Sequence, residues 1–432
     1  MAKQLTGGRV LLWSLLGRLP SAMSPIGTLL LVSRNTGSVW SGSLVAGALA
    51  GGQAIGGPIV GRLADRRGQR TVGLAAALAN AAALVMLVAA SERELALGWQ
   101  IAPAALTGLS VPLVGPLSRS RWVRLATGDA ELTSAMLSLD GIVDEVAFTA
   151  GPALVGVLAG AASPAVGLLT AAVLSGICAG LFALHPTAAP GVPASSHPHD
   201  PSARRLLSTP YVLLLAGTAL LGACFGSVQV GVTATTEALG RPGAAGLVYG
   251  FLGCTSSLAG VVIASMPARQ GLPARLRAGA ALLFAASCVL LLTNGGLTNG
   301  GLASGGLANG GLANGSLATL TAAIGLLGVA VAPQIITIFG LVERTVPATR
   351  LGEAMAALVS ALILAQSAGT FLAGWAADHF TPGAPFAVTS AAAAAALVLA
   401  ACTATDRRYR RRNDPARTPT PGEARTADRA GS

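Results

Sequence analysis

The chain has 432 residues, of which 53% are hydrophobic and only 10% are charged, and its mean hydropathy is +0.67. Soluble domains carry roughly a quarter charged residues, so this composition excludes an ordinary soluble globular domain. The formal net charge of +11 lies in short clusters between apolar runs. That arrangement is typical of the loops of a membrane protein and not of a nucleic-acid-binding surface.

Apolar stretches of about 20 residues recur along the chain, and each is long enough to cross a hydrocarbon core of ~30 Å. They must be helical, because lipid offers no partners for unpaired backbone groups. We therefore predict an all-α polytopic membrane protein. Its twelve spans lie near residues 10–33, 39–61, 71–90, 96–117, 134–161, 165–184, 211–235, 244–266, 276–293, 317–341, 354–377 and 384–403.

The basic residues predict the orientation of these spans. With a cytoplasmic N-terminus and alternating spans, most of the 28 Lys and Arg residues fall in cytoplasmic segments. Arg34, Arg93 and Arg241 are the exceptions in loops, and Arg18 lies within the first span. This asymmetry predicts a multi-pass protein of a bacterial cytoplasmic (inner) membrane, with both termini in the cytoplasm.

Polar segments divide the chain into two bundles. Residues 1–184 form an N-terminal six-helix bundle, 185–209 a cytoplasmic linker, and 210–404 a C-terminal six-helix bundle. Residues 294–316 read as a Gly/Asn-rich outside loop of five pentapeptide copies, and 405–432 as a disordered basic tail. Three linker histidines could bind a metal, but their proline-interrupted spacing favours chance proximity: His185, His197 and His199.

The two bundles also resemble each other in sequence. The stretch AGPALVGVLA at 150–159 in span five corresponds to AGTFLAGWAA at 368–377 in span eleven, six spans later. Small residues of this kind allow close helix contact, so convergence could explain part of the similarity. The matching position in each bundle favours a duplicated six-helix unit, which is a common design among transporters.

Between spans two and three the chain reads GRLADRRGQR, residues 61–70, which we call the signature loop. Its pattern is carried by Gly61, Asp65, Arg66, Gly68 and Arg70. Together with the twelve spans and the division into six and six, this pattern resembles the major facilitator superfamily, over nearly the whole chain. Gln69 departs from the family pattern, in which a second basic residue is common here, and the C-terminal bundle has no copy of the loop.

The resemblance implies a secondary transporter that works by alternating access. It also implies that the signature loop latches the two halves in an outward-open state. Asp65 lies where a carboxylate can meet arginines or the positive end of a helix, and Gly68 permits a tight turn. The alternative is that the arginines of the loop only set the topology, which is our interpretation of Arg67.

Span five carries three carboxylates in an apolar setting: Asp140, Asp144 and Glu145. Ionisable groups at such depth are expensive and by default indicate a functional site. Asp140 and Asp144 share one helical face, and Glu145 points about 100° away from Asp144. Arg18 lies at a matching depth in span one.

We expect Arg18 to pair with Asp144 or Glu145, which the resemblance places on a neighbouring helix, and the remaining carboxylate to carry a proton during transport. Two alternatives stay open at this point. The charges could form a static ion-pair network that sets helix packing, or Asp140 could extend to the cytoplasm.

Span five also contains Gly151-Pro152, which resembles a helix-five signature of exporters in this family and favours efflux over uptake. Pro152 removes a backbone hydrogen bond and is expected to kink the helix. Five amide side chains within spans are candidates to line a cavity, although a helix-to-helix hydrogen bond would explain each of them equally well: Asn80, Gln100, Gln229, Gln334 and Gln366.

The sequence predicts no enzyme, because it contains no phosphate-binding loop, no Ser/His/Asp set and no metal-ligand spacing. We expect no cofactor and no bound metal, with a proton gradient as the energy source. The expected partners are a small-molecule substrate, protons and the lipid bilayer, with no nucleic acid, and the chain is expected to be a monomer. A proton-coupled uptake permease, or a non-transporting sensor or scaffold on the same fold, is the alternative.

Overall fold

The structure is a computed structural model that describes residues 9–126, 129–188, 190, 208–265, 271–294, 316–346 and 350–405. Most of the predicted linker, nearly all of the pentapeptide loop and almost the whole basic tail lie outside these residues, as do His197 and His199. Within the described residues, twelve helices are long and apolar enough to cross a membrane. The predicted all-helical, twelve-span architecture is therefore confirmed.

The first six spans pack on one another as one bundle and the last six as a second. The spans of the N-terminal bundle are Arg9–Thr36, Val39–Arg67, Gln69–Glu92, Leu97–Leu125, Ala130–Ala161 and Pro164–Leu184. Those of the C-terminal bundle are Thr209–Ala238, Ala244–Ser265, Leu272–Asn294, Leu317–Thr345, Leu351–His379 and Pro385–Thr405.

Two spans are not continuous α-helices. Span four is interrupted between its pieces Leu97–Leu109 and Val114–Leu125, and Pro112 lies in the interruption. The second piece carries the helix past residue 117, where we predicted its end, so the predicted boundary is wrong. In span six the segment Leu174–Ala179 is a π-helix, a wider helical turn that the apolar pattern of the sequence does not reveal.

The alternating spans give the molecule two ends. We call the end where span two meets span three, at Gly68, the basic end, and the end where span one meets span two, at Gly37, the opposite end. Gly68 has a φ of +94° and terminates span two by donating its backbone N–H to the Ala64 carbonyl at 2.9 Å. A residue with a side chain is strained at such a φ, so the predicted tight turn at Gly68 is confirmed.

The seam between the bundles consists mainly of two helix pairs, span two with span eleven and span five with span eight. In the first pair, Ser367 Oγ donates to the Gly47 carbonyl at 2.6 Å, and the rings of Trp40 and Phe371 meet edge to face at 4.5 Å. Spans two and eight occupy corresponding positions in the two bundles, as do spans five and eleven. Exchanging the bundles therefore converts one helix pair into the other, in agreement with two pseudo-symmetric halves.

Small residues bring the spans of the second seam pair into backbone contact. A Cβ built on Gly246 of span eight would lie 2.2 Å from the Pro152 carbonyl oxygen of span five. A Cβ on Gly243 would lie 2.6 Å from the Cα of Gly160. Neither distance leaves room for a side chain, so glycine is required at these positions of the closed seam.

Glycine plays the same part inside the N-terminal bundle, where spans two and four cross. A Cβ built on Gly108 of span four would lie 2.0 Å from the Leu49 carbonyl oxygen of span two, which leaves no room for it. A Cβ built on Gly57 of span two would meet only the Leu113 side chain, at an ordinary 4.0 Å.

We therefore expect Gly108→Ala to lower stability by about 1–3 kcal/mol, because a buried contact becomes overpacked. Thermal unfolding in detergent micelles measures the effect. Gly57→Ala is the matched control and should be neutral or slightly stabilising, since alanine favours helix by up to about 1 kcal/mol. Equal melting temperatures for the two variants would contradict the close contact between spans two and four.

Candidate functional site

The most deeply buried charged contact that the structure describes joins spans one and five near the basic end. Arg18 Nη2 donates to Asp140 Oδ1 at 2.5 Å, and Arg18 Nη1 donates to the Asp140 backbone carbonyl at 3.0 Å. The side chains are only 4% and 1% exposed. Asp140 Oδ1 also accepts hydrogen bonds from Ser118 Oγ at 2.7 Å and from the indole N–H of Trp122 at 3.1 Å, both on span four.

A second arginine and a second aspartate complete this cluster. Arg119 of span four pairs with Asp144, and its Nε lies 3.3 Å from Asp140 Oδ2. Arg18 Nη1 lies 3.3 Å from Asp144 Oδ1. Asp144 is 20% exposed and Arg119 is 52% exposed, so this side of the cluster is open while the Arg18–Asp140 side is sealed. We call these four residues the charge cluster.

The predicted pairings are partly confirmed. Arg18 does contact Asp144, but its shortest contact is with Asp140, for which no pairing was predicted. The alternative in which Asp140 extends to the cytoplasm is wrong, because its carboxylate is enclosed by spans one, four and five. Glu145 does not contact Arg18, since the turn of the helix directs it away from the cluster, as the spacing predicted.

Glu145 instead lies at the seam. Its Oε2 accepts a hydrogen bond of 2.6 Å from Ser257 Oγ of span eight, in the other bundle. Span five is 32 residues long, and Glu145 lies near its middle. Among the described residues, the two arginines and two aspartates of the charge cluster balance one another, whereas Glu145 has no basic partner. Of the three carboxylates Asp140, Asp144 and Glu145, the one without a basic partner is thus the exposed Glu145 at the seam.

The Gly151-Pro152 pair packs against two neighbours. A Cβ on Gly151 would lie 2.7 Å from the Ala22 side chain of span one, and the Pro152 carbonyl is the atom that Gly246 of span eight approaches. This short motif therefore lies where span five contacts both its own bundle and the opposite bundle.

In the signature loop, the predicted latch residues Asp65, Arg66 and Arg70 are exposed at the basic end. Gly61 is partly buried, and a Cβ on it would lie 3.6 Å from Leu113. Gln69, the departure from the family pattern, is buried at the start of span three.

Two of the predicted cavity amides are tied into the N-terminal bundle. Asn80 of span three donates to the Thr107 carbonyl of span four at 2.7 Å and accepts from Ser175 Oγ of span six at 2.9 Å. Gln100 donates to the Leu95 carbonyl at 2.7 Å, just before its own span, and its side-chain oxygen has no hydrogen-bond partner among the described residues. Both amides are buried, and the bonds of Asn80 to two other spans favour a packing role for it over a cavity role.

The other three candidates lie in the C-terminal bundle. Gln229 and Gln334 are buried and Gln366 is half-buried. The Gln334 side-chain oxygen has no hydrogen-bond partner among the described residues, and it lies 2.8 Å from where a Cβ on Gly279 would stand. Within the described part of the chain, none of these three amides forms a hydrogen bond with the charge cluster.

The sequence analysis missed the part that span four plays in the cluster. Arg119 counted only as a topology-setting loop arginine, because span four was predicted to end at residue 117. The spacing of Ser118 and Trp122 at i and i+4, with Arg119 between them, would have placed all three on one side of a helix if that helix had been extended.

Similarity to known proteins is consistent with this architecture. The family model described as Major Facilitator Superfamily matches residues 15–307, which is more than half of the chain. The chain belongs to the Major Facilitator Superfamily. It is accordingly a multi-pass membrane transporter and not an enzyme. A sequence comparison with curated proteins gave no match.

Solved structures with the same fold extend over the whole molecule. A D323A mutant of the nucleoside transporter NupG is 15% identical with a TM-score of 0.68, covering 93% of this chain and 99% of its own. A bacterial homologue of the iron transporter ferroportin, in an inward-facing state, is 17% identical with a TM-score of 0.66, covering 92% and 98%. The peptide transporter POT in complex with sulfate is 15% identical with a TM-score of 0.66, and the match covers 93% of this chain and 94% of that one. These identities establish the superfamily fold alone.

The charge cluster makes a prediction about stability. Asp140→Asn leaves Arg18 buried with Asp144 as its remaining acid, so we expect a loss of about 3–5 kcal/mol, the usual effect of removing one partner of a buried pair. Thermal unfolding of the purified protein measures this loss of stability. Asp129→Asn is the control, because Asp129 is an exposed N-cap of span five and asparagine caps helices equally well. A melting temperature of Asp140→Asn equal to that of the control would show that the cluster does not stabilise the bundle.

Proposed function

We propose that this protein is a proton-coupled secondary transporter that exports a small molecule by alternating access. Membership of the superfamily supports the transport reaction. The observation that carries the coupling is Glu145, a carboxylate without a basic partner among the described residues, hydrogen-bonded across the seam to Ser257.

Alternating access is supported by the distribution of contacts along the seam. The contacts between bundles described above run from the opposite end to the middle of the spans. At the opposite end, Ser33 Oγ donates to Glu237 Oε1 at 2.5 Å and Ser38 Oγ donates to Asp378 Oδ2 at 2.6 Å, and each of these bonds joins the two bundles. At the basic end, the latch carboxylate Asp65 is exposed. This combination fits a state that is closed at the opposite end, with the latch disengaged.

Proton coupling requires a carboxylate whose surroundings change when the bundles move. Spans five and eight belong to different bundles, so a rocking motion that separates them breaks the Glu145–Ser257 hydrogen bond. A carboxylate that loses a donor and changes its exposure also changes its proton affinity. Glu145 therefore serves as the proton carrier in this proposal.

The charge cluster takes the static role that the sequence analysis left open. All its members lie on spans one, four and five of a single bundle, and their charges balance. A rigid-body motion of that bundle leaves such contacts intact. We assign Arg18, Asp140, Asp144 and Arg119 to helix positioning, and Glu145 to energy coupling.

Export is favoured by the Gly151-Pro152 motif, which resembles that of exporters and lies where span five contacts span eight. The proposal includes a bacterial inner membrane, a cytoplasmic basic end and a monomeric chain. The similar structures are of a nucleoside transporter, a peptide transporter and a homologue of an iron transporter, so the fold selects no substrate.

The coupling is tested in inverted membrane vesicles that carry an imposed pH gradient and a pH-sensitive dye. A panel of small molecules is added, and compound-dependent proton movement is recorded. We expect Glu145→Gln to abolish proton movement while exchange of the same compound across the membrane continues, because the neutral amide still binds Ser257 but releases no proton.

Asp144→Asn is the comparison variant, and we expect it to retain proton coupling at a reduced rate. Coupling that survives in Glu145→Gln and disappears in Asp144→Asn would assign the proton to the charge cluster instead. Absence of proton movement with every compound in the native chain would favour the sensor or scaffold, or a uniporter.

Alternating access is tested by loosening the opposite end. Gly246→Ala places a methyl group against the Pro152 carbonyl, and we expect a cost of about 1–3 kcal/mol to the closed seam, which changes a population ratio about 5- to 150-fold. Spin labels at the exposed positions Arg93 and Arg241, in a chain without its native cysteines, should then report longer distances.

Gly160→Ala is the matched control on the same seam, because its Cβ would lie at an ordinary 3.7 Å from Gly243. It should leave the distance distribution unchanged. Identical distributions for the Gly246 variant and the native chain would contradict an opposite end that opens.

A further inference from the structure

Among the residues that the structure describes, one further buried cation lies outside the charge cluster. Arg121 of span four is 1% exposed, close to the basic end. Its Nε donates to Gln69 Oε1 at 2.8 Å, and its Nη1 donates to the Phe182 carbonyl at 2.8 Å. The guanidinium also stacks on the Phe182 ring, 3.8 Å from the ring centre. Each of these partners is electrically neutral.

A buried cation without a carboxylate is expensive, so its surroundings must compensate for the lost water. Phe182 lies in the last turn of span six, where the helix dipole presents its negative end. Its ring adds a cation–π contact, which stabilises a guanidinium removed from water. The only side-chain acceptor within 3.0 Å of the guanidinium among the described residues is the oxygen of Gln69, and Arg121 Nη2 has no hydrogen-bond partner among them, so Gln69 carries much of the compensation.

Gln69 belongs to the signature loop, one residue after the Gly68 turn. Its side-chain oxygen accepts from Arg121, and its Nε2 donates to Ser120 Oγ at 2.8 Å. A basic residue at this position, the common choice in the family pattern, would direct a second positive charge at buried Arg121. A neutral acceptor at position 69 therefore suits a buried arginine at position 121, and that arginine makes a basic residue at position 69 unfavourable.

Arg121 also reaches the segment that leaves the N-terminal bundle. Its Nη1 lies 3.4 Å from Thr187 Oγ1, and Arg124 donates to the Thr187 carbonyl. Burial and, second, the positive charge of Arg121 lower the pKa of the neighbouring His185 below its ordinary value. The first residues after span six are thus held against the same guanidinium that holds the signature loop.

We propose that Arg121 is a positioning residue that joins the signature loop, through Gln69, to the end of span six and to the start of the linker between the bundles. Movement of the latch and movement of the linker then occur together. Arg121 acts through Gln69 and Thr187 and does not touch the transported molecule. This inference rests on the proposed alternating access and adds a residue that sets its equilibrium.

The test exchanges the two partners. Spin labels at the exposed positions Arg62 and Ala356 report the distance between the bundles at the basic end, in the full-length chain without its native cysteines, reconstituted in lipid. We expect Gln69→Arg to change the ratio of long to short distances by at least about fivefold, within the usual range of conformational coupling. Arg121→Gln should change the ratio by a similar factor.

The double variant Gln69→Arg/Arg121→Gln restores a donor and an acceptor in exchanged positions. We expect it to return the ratio to within about twofold of the native value, which two independent structural defects would not do. Arg67→Gln, which removes a charge from an exposed position beside the same turn, is the control and should leave the ratio unchanged. Melting temperatures of all variants separate loss of folding from a shift of conformation.

The outcomes distinguish this inference from the proposed function. In one outcome the native chain shows two distance populations, and the single variants melt lower but keep the native ratio. That outcome would overturn the positioning role of Arg121 and leave alternating access intact. A double variant no closer to the native ratio than either single variant would also overturn it. One unchanging distance in the native chain under every pH gradient tested would overturn both proposals.

Discussion

The organisation of the N-terminal bundle depends on one constraint, that a charge removed from water within a membrane must be paired. Arg18 and Asp140 meet this constraint with the shortest contact of the charge cluster and with almost complete burial. Such a pair adds little net stability compared with apolar packing, but losing one partner is costly. Its main effect is therefore on register. Spans one, four and five can slide or rotate little without leaving a charge unpaired.

Once two arginines and two aspartates neutralise each other, Glu145 is the remaining carboxylate in the middle of span five. Asp144 and Glu145 are adjacent in sequence, yet the rotation of about 100° per residue places one in the cluster and the other at the seam. A single helix thus presents a balanced face to its own bundle and an uncompensated acid to the other bundle. This division separates the contacts that hold a bundle together from the contact that can respond to its motion.

The sequence predicted the helical content well, because hydropathy over about 20 residues reports membrane crossing directly. It failed where local backbone geometry mattered. The interruption around Pro112 prolongs span four, and this changes Arg119 from a loop residue into a member of the charge cluster. The sequence also could not identify interaction partners that lie far apart along the chain. Nothing near Glu145 identifies Ser257 as its donor, and the small-residue pattern around Gly246 shows that a helix can approach closely without showing which one.

The contacts that join the bundles differ in kind from those inside them. Across the seam the structure shows glycine packing, apolar contacts such as Trp40 with Phe371, and hydroxyl-to-acceptor hydrogen bonds such as Ser33 to Glu237. A hydrogen bond of this sort contributes only about 0.5–1.5 kcal/mol net, because water replaces it on opening, and hydrogen bonds to charged groups contribute up to about 3 kcal/mol. Inside the N-terminal bundle the contacts include Arg18 with Asp140 and Arg121 with Gln69, whose groups are buried and would be left without partners. The hydrogen bonds of the seam can therefore be exchanged for water at lower cost than the buried polar contacts inside the bundle can be broken. The proposed alternating access requires that the bundles move as two rigid halves, and such a motion would leave the buried contacts inside each half intact.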